Sequence, residues 1–278
     1  MKKATRRILY DIIKNIVIFI ILFTTALLFT KYVLGLKGIY TRYGQYINLE
    51  GFQVVQSSPY FTDAYVITLD KYPERLPRIK KNAKEASINL RPWQGVIITN
   101  DDLKSLPERG VGTILFQDRS QTYFNFGVIG CFLAHRGVLE HISMNPNGLG
   151  TFICEDDIII PKDFYTRFNA VSSDIPDDWD MIFMRKYVVK AKPVTSNIKK
   201  LEKDVTSSTN MGMWGFIVKN TSIKTKILPV LEQMTDAVDF QLGRHADTIN
   251  MYLVDPPIID LDKSHDDSTI TKMDIENK

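Results

Sequence analysis

The sequence predicts an α/β fold with a mostly parallel central sheet, preceded by one N-terminal transmembrane helix. Three observations carry that expectation. Short, β-branched apolar runs alternate with helical patterns between residues 64 and 259, which is how strand–helix–strand units read in sequence. An uncharged apolar run occupies Asn15 to Thr30. Finally, "TFICEDDIII" (151–160) sets three consecutive carboxylates at the end of a buried run, and an α/β sheet places its ligand crevice at strand carboxyl ends.

From the N-terminus, Asn15–Thr30 is slightly short for the roughly 20 helical residues a bilayer core requires. Lys14 and Lys31 flank it and can snorkel to the headgroups, lengthening the usable span. Lys2, Lys3, Arg6, Arg7 and Lys14 precede the run, so the N-terminus is expected on the cytoplasmic side. A cleavable signal peptide has similar regions, but "FTKYVLGLK" offers no small-residue cleavage site. The segment therefore reads as an uncleaved signal anchor (1–37), with a stem at 38–62 and a domain at 63–278 held across the membrane. The protein is thus expected to be a single-pass type II membrane protein with a luminal or extracytoplasmic body. The sequon Asn220-Thr221-Ser222 is compatible with a lumen, and equally with Thr221 or Ser222 capping a helix.

In the body, "AYVITLD" (64–70), "WQGVIIT" (93–99), "GTFICEDD" (150–157), "WDMIFMR" (179–185), "MWGFIVK" (213–219) and "MYLVDPPII" (251–259) read as strands. A charged helix is expected from Pro73 to Ala86. A second is expected over 127–144, where Val128, Phe132, His135, Leu139 and Ile142 share one face. Residues 221–234 look helical, with a break at Pro229. The stretches 101–126 and 186–210 read as loops.

Charge and motif content exclude several functions. Outside residues 1–37 the chain holds 28 basic and 31 acidic residues, a poor electrostatic match for nucleic acid. No GxxxxGK[ST], HExxH or GxSxG pattern occurs. Two cysteines, Cys131 and Cys154, sit among apolar neighbours and read as buried small hydrophobes, not a bridge.

What remains is the acidic tip. In extended chain Glu155 and Asp157 face one side and Asp156 the other. Hard cations such as Mn²⁺ or Mg²⁺ accept one or two carboxylates and let a substrate diphosphate complete their shell. A solvated acidic turn is the alternative reading.

The set "YVITLDKYPER" (65–75), "GVIGCFLAH" (127–135), "FICEDDII" (152–159), "MGMWGFIVK" (211–219), "AVDFQL" (237–242) and "DSTI" (267–270) resembles glycosyltransferase family 25 in order and approximate spacing. The resemblance implies a GT-A-like nucleotide-diphospho-sugar transferase fold and metal-assisted transfer of a hexose. Galactose on UDP is the usual donor, passed with inversion to a β linkage on a glycan or glycosylated protein. It implies Asp157 and Glu155 as Mn²⁺ (or Mg²⁺) ligands with His265 from the C-terminal element. It further implies donor contacts from Leu69, Asp70, Arg75, Glu155 and Asp156, Asp239 as general base, and His135 at the catalytic centre. Thr68 and Ala134 depart from the family's more usual Asn and Ser. They are the ground for an alternative: a catalytically silent, membrane-tethered binding protein that keeps the fold. A nucleotidyltransferase on a similar fold lacks the Gly-rich basic loop it would need near the first strand.

Overall fold

The computed structural model describes residues 14–16, 18, 23–25, 38–40, 45–48, 53–56, 58–112, 126–187, 189–205 and 212–262. The chain divides into two compact units, 1–57 and 58–278. In the first, residues 14–16, 18 and 23–25 are helical. Strands β1 (Gly38–Tyr40), β2 (Gln45–Asn48) and β3 (Gln53–Gln56) form an antiparallel meander. Among the described residues no helix is long and apolar enough to cross a membrane. Most of the expected anchor lies outside them.

The second unit is an eight-stranded sheet. Its strands are β4 (Asp63–Thr68), β5 (Leu90–Gln94), β6 (Gly150–Glu155), β8 (Met181–Phe183), β9 (Ala191–Pro193), β10 (Ile198–Leu201), β11 (Gly215–Lys219) and β12 (Met251–Val254). They lie in the order β5-β4-β6-β11-β8-β12-β10-β9. The strand β7 (Ile158–Ile159) pairs separately with β13 (Asp260–Leu261).

The expected mostly parallel sheet is corrected to a mixed one. β4 pairs in parallel with β5 and β6, and β8 with β12. β11 runs antiparallel between β6 and β8, and β9 and β10 add an antiparallel edge beside β12. A buried strand is apolar on both faces whatever its direction, so its residues do not record whether its neighbours run with it or against it.

Both faces of this sheet are covered. Tyr65, Ile67, Ile153, Phe183, Phe216, Val218 and Leu253 pack on one side with Val128, Phe132 and Leu139 of the long helix α2 (Phe126–Met144). The alternate residues Ala64, Val66, Phe152, Cys154, Ile182, Ile217 and Tyr252 pack on the other side. There they meet Ile79 and Ala83 of α1 (Arg75–Glu85) and Phe164 and Phe168 of α3 (Phe164–Ser172). The period of two along each strand thus builds a three-layer core.

Several local expectations need correction. The second strand is Leu90–Gln94, not 93–99. Its Pro92 and exposed Arg91 are tolerated because β5 is an edge strand, and the Gly95 N–H still reaches the Thr68 carbonyl at 2.7 Å before the chain leaves the ladder. The loop expected at 186–210 contains the β9–β10 hairpin. The sequon asparagine, Asn220, is 5% exposed. Its amide donates to the Asn147 carbonyl at 2.7 Å and accepts from the Thr151 hydroxyl at 2.9 Å, so the folded chain does not present it for glycosylation. Neither Thr221 nor Ser222 caps the helix: it starts at Asn220, and the Ser222 hydroxyl bonds Asp180 instead. The break expected at Pro229 appears as a π turn over Ile223–Ile227, and the helical segment ends at Val230.

Candidate active site

The chain leaves β4 for the edge strand β5, then crosses through α2 to β6 on the other side of β4. The direction of winding therefore reverses between β4 and β6. A crevice opens at the carboxyl ends of the strands where such a reversal occurs. A cavity of about 820 Å³ lies there, lined by residues from the ends of β4 and β6, one face of α2, and segments 212–214 and 237–239. Its volume is within the usual range for small-molecule sites.

The glycine of the motif "GVIGC" has a packing reason. A Cβ on Gly130 would stand 2.2 Å from the Val96 carbonyl oxygen. Only glycine lets α2 approach the 95–98 segment so closely, and that approach brings Cys131 and His135 to the cavity.

Strand β6 ends at Glu155, and Asp156 and Asp157 form the turn into β7. All three carboxylates border the cavity, but their partners differ. Asp156 turns inward and is 6% exposed. It accepts from the Thr68 hydroxyl at 2.7 Å and pairs with Arg75 at 3.3 Å, while Arg78 donates to its carbonyl oxygen at 2.9 Å. Asp156 is thus the brace of the turn, and Thr68 supplies one of its bonds. Arg75, itself buried, is held by this pairing and stacks 4.2 Å from the Tyr72 ring centre.

Glu155 and Asp157 face the cavity. Among the described residues Asp157 Oδ1 is buried without a hydrogen-bond partner. Burial, reinforced by the charges of Asp157, Asp156 and Asp239, pushes the Glu155 carboxyl well above its ordinary range. Burial and the Asp156 charge likewise raise Asp157, against the pull of Arg75 and Arg78. Burial makes the charged form of such groups costly until a positive partner offsets it. The donor set fits a divalent cation, which Asp157 and Glu155 would hold.

Asp239 lies across the cavity in the first turn of α4 (Val238–Gly243). The Gly212 N–H donates to its Oδ2 at 2.7 Å and the Phe240 N–H to its Oδ1 at 3.0 Å. Ala237, not Asp239, occupies the N-cap position. Nearby, Gln241 is buried; it donates to the Val230 and Gln233 carbonyls and accepts from the Thr235 and Asp236 N–H groups, bracing the loop before α4.

His135, 1% exposed, places Nδ1 2.9 Å from the Cys131 carbonyl oxygen. Burial lowers its pKa, opposed by that carbonyl, by the Asp239 charge and by the Met213 backbone. Leu69 lines the cavity, whereas Asp70 is exposed and does not. His265 falls outside the described residues. The chain approaching it is anchored at the site, because the Asp262 N–H donates to the Asp157 carbonyl at 2.8 Å and Arg78 pairs with Asp262.

Two contributors were not expected from sequence. Cys131 lies at the cavity beside His135, unlike the fully buried Cys154; both thiols are free. Lys186 is buried, donates to the Gly212 carbonyl at 3.0 Å and packs 4.2 Å from the Phe183 ring centre. Burial lowers its pKa to about 8, against the attraction of Asp239. The Gly212 peptide therefore joins Lys186 to Asp239. Its φ of +97° explains the glycine. No apolar periodicity marks a single buried lysine, so pattern reading passes over it.

The profile described as Glycosyltransferase family 25 (LPS biosynthesis protein) matches residues 61–241. The chain belongs to glycosyltransferase family 25. The match covers β4 through most of α4 and therefore every cavity-lining element except the terminal β13. Comparison with curated proteins finds no match. Solved structures with some likeness include A197 from STIV, with TM-score 0.40 and 10% identity, covering 71% of this chain and 83% of that one. The apo glycosyltransferase GlyE of Streptococcus pneumoniae TIGR4 gives TM-score 0.34 and 9% identity, over 69% of this chain and 45% of that one. The inositol-1-phosphate CTP transferase of T. maritima gives 0.35 and 11%, over 78% and 77%. Membership of family 25 implies sugar transfer from a nucleotide-sugar donor to an acceptor.

Proposed function

We propose that this family 25 member transfers a hexose, galactose first among candidates, from UDP to a hydroxyl of a glycan or glycosylated protein. The reading takes the fold as GT-A-like and the reaction as inverting and metal-assisted. The observation that carries it is the cavity in which Asp157 keeps an unpartnered buried oxygen beside Glu155 and opposite Asp239.

In this reading Asp157 and Glu155 hold Mn²⁺ or Mg²⁺. A cation bound there supplies neutralisation of the charge that develops on the leaving diphosphate. Asp239 takes the proton of the acceptor hydroxyl as its oxygen bonds to the anomeric carbon and the bond to the diphosphate breaks. The N–H groups of Gly212 and Phe240 fix the orientation of the Asp239 carboxylate while leaving it lone pairs for that proton. Arg75, positioned by Asp156, presents the donor side of the cavity with positive charge. Two residues of chain separate His265 from Asp262, and the three steps reach about 10 Å when extended, so His265 is assigned to the cation or the donor phosphates. The N-terminal segment is proposed as a type II anchor, with the catalytic unit on the luminal or extracytoplasmic side. Protease accessibility of tags at the two ends checks that orientation.

Thr68 offers no support to a silent binding protein, because it fills a hydrogen-bonding role at Asp156. The deciding assay incubates the full chain in detergent with Mn²⁺ and a panel of UDP-sugars and acceptors, and reads products by mass spectrometry. UDP release that EDTA abolishes is the expected result. Absence of turnover with every UDP-hexose, or full activity after Asp157→Ala, overturns the proposal.

A further inference from the structure

We propose that Cys131, His135 and Glu155 form a second cation site, of thiolate, imidazole and carboxylate chemistry, that takes Zn²⁺. It is distinct from the all-oxygen site assigned to Asp157, although it shares Glu155 with it.

Positions 131 and 135 are four apart on α2 and so present their side chains on one helix face, while Glu155 arrives from the end of β6. One ligand atom from each of the three residues lies within 4.8 Å of the others. The thiol sulfur is 3.8 Å from Glu155 Oε1, and His135 Nε2 is 3.7 Å from the same oxygen. These separations are too long for good hydrogen bonds. They are nevertheless shorter than two metal–ligand bonds laid end to end, about 4.2 Å for nitrogen plus oxygen and about 4.4 Å for sulfur plus oxygen. The two separations from Glu155 Oε1 are therefore short enough for one ion to bridge, and the sulfur also lies 3.5 Å from His135 Nδ1.

The imidazole is already set for this role. Its Nδ1 proton goes to the Cys131 carbonyl, 2.9 Å away, which leaves a lone pair on Nε2. Metal-bound histidines are oriented by the same kind of second bond. Among the described residues Nε2 is buried with no well-formed hydrogen bond, the Met213 backbone lies near the ring, and Nε2 stands 3.7 Å from Glu155 Oε1. The thiol and the carboxylate beside the ring are the combination that favours zinc over magnesium or manganese. In the metal-free protein the thiol keeps its proton, since burial and the charges of Glu155, Asp239 and Asp157 push it up. On binding, the proton leaves to solvent and the Cys131 sulfur–zinc bond forms, with no redox change. Occupancy draws Glu155 away from the Asp157 site, so zinc and manganese compete.

Co²⁺ added to the full chain is the direct probe, because it reports thiolate ligation and tetrahedral geometry by absorption. The expected result is one Co²⁺ per chain with a thiolate-to-cobalt charge-transfer band. The band should be erased by Zn²⁺, retained in Cys154→Ser and lost in Cys131→Ser. Zinc affinity should fall at least about 100-fold in Cys131→Ser, beyond what loss of a supporting contact costs. X-ray absorption at the zinc edge of the unaltered protein needs no variant, and should show one sulfur at about 2.3 Å. No thiolate band, a band that survives Cys131→Ser, or zinc without a sulfur neighbour would falsify the assignment. None of these readouts depends on whether the chain transfers galactose.

Discussion

Asp180 and Asp157 are both carboxylates drawn into the same sheet, at opposite ends of its strands, and the fold treats them in opposite ways. Asp180 precedes β8. The Ser222 hydroxyl donates to it, as do Lys226 at 2.7 Å and the Asn250 N–H at 2.8 Å. Burial works to raise its pKa, but these partners together bring it below the ordinary carboxylate value. Asp157, at the far end of β6, keeps one buried oxygen without a partner, and its pKa is raised. Folding alone is served by the first arrangement. The second costs stability, and it is repaid only when a positive ligand arrives. The difference separates a carboxylate that holds the fold from one that waits for a substrate or ion.

The contrast is broken most severely at Asp180. Asp180→Ala removes the acceptor for three donors and should cost about 3–5 kcal/mol, read as a fall in the denaturation midpoint. Activity per folded molecule should stay close to that of the unaltered chain. Asp157→Asn should do the reverse. We expect transfer to slow about 10²–10³-fold, about 3–4 kcal/mol in the barrier, while thermal stability holds or rises because an uncompensated charge is gone. A large stability loss in Asp157→Asn would erase the distinction, as would loss of turnover in folded Asp180→Ala.

Much of this contrast was legible before the structure, and the rest has physical reasons for being hidden. Glu155 and Asp157 were visible as an acidic tip because strand β6 is apolar on both faces up to Cys154, so its end is sharp. Period-two alternation further placed Asp156 apart from its neighbours, and it does turn inward to Thr68 and Arg75. The helix α2 was legible as a long apolar segment, but it is buried over most of its circumference, so the stripe with Val128, His135 and Leu139 is only one of its buried faces. Strand direction was not legible: the antiparallel β11 reads like any buried strand. The edge strands β5 and β9, and β10 next to β9, carry Arg, Lys and Pro, so apolarity does not reveal them. Lys186 and Cys131 acquire their roles from partners distant in sequence, Gly212 and Asp239 for the first and Glu155 for the second. No local pattern encodes such meetings.

Lys186 sharpens the comparison from the cationic side. It is a buried lysine with a carbonyl partner and a pKa lowered to about 8, against 10.5 for the free side chain. Between those values the unfolded chain binds more protons at this group than the folded one, so its contribution to stability rises with pH across that window. The full rise is on the order of 3 kcal/mol. Denaturation curves of the unaltered protein and Lys186→Met, compared from pH 7.5 to 10.5, should therefore diverge in favour of the unaltered chain. Parallel curves would show that Lys186 keeps its charge in the fold.

The smallest effect is expected at Thr68, where the two kinds of carboxylate meet in one tripeptide. Asp156 resembles Asp180 in being satisfied, and the Thr68 hydroxyl is one of its donors. Thr68→Val keeps shape but withdraws that donor from a buried carboxylate, which costs about 1–2 kcal/mol; Thr68→Ser should recover most of it. Because Asp156 and Asp157 share one turn, loosening the first displaces the second. The Michaelis constant for the donor should therefore rise more than turnover falls. If Thr68→Val lowers stability but leaves donor affinity untouched, the turn holds Asp157 without help from Asp156, and the two carboxylates are coupled by sequence alone.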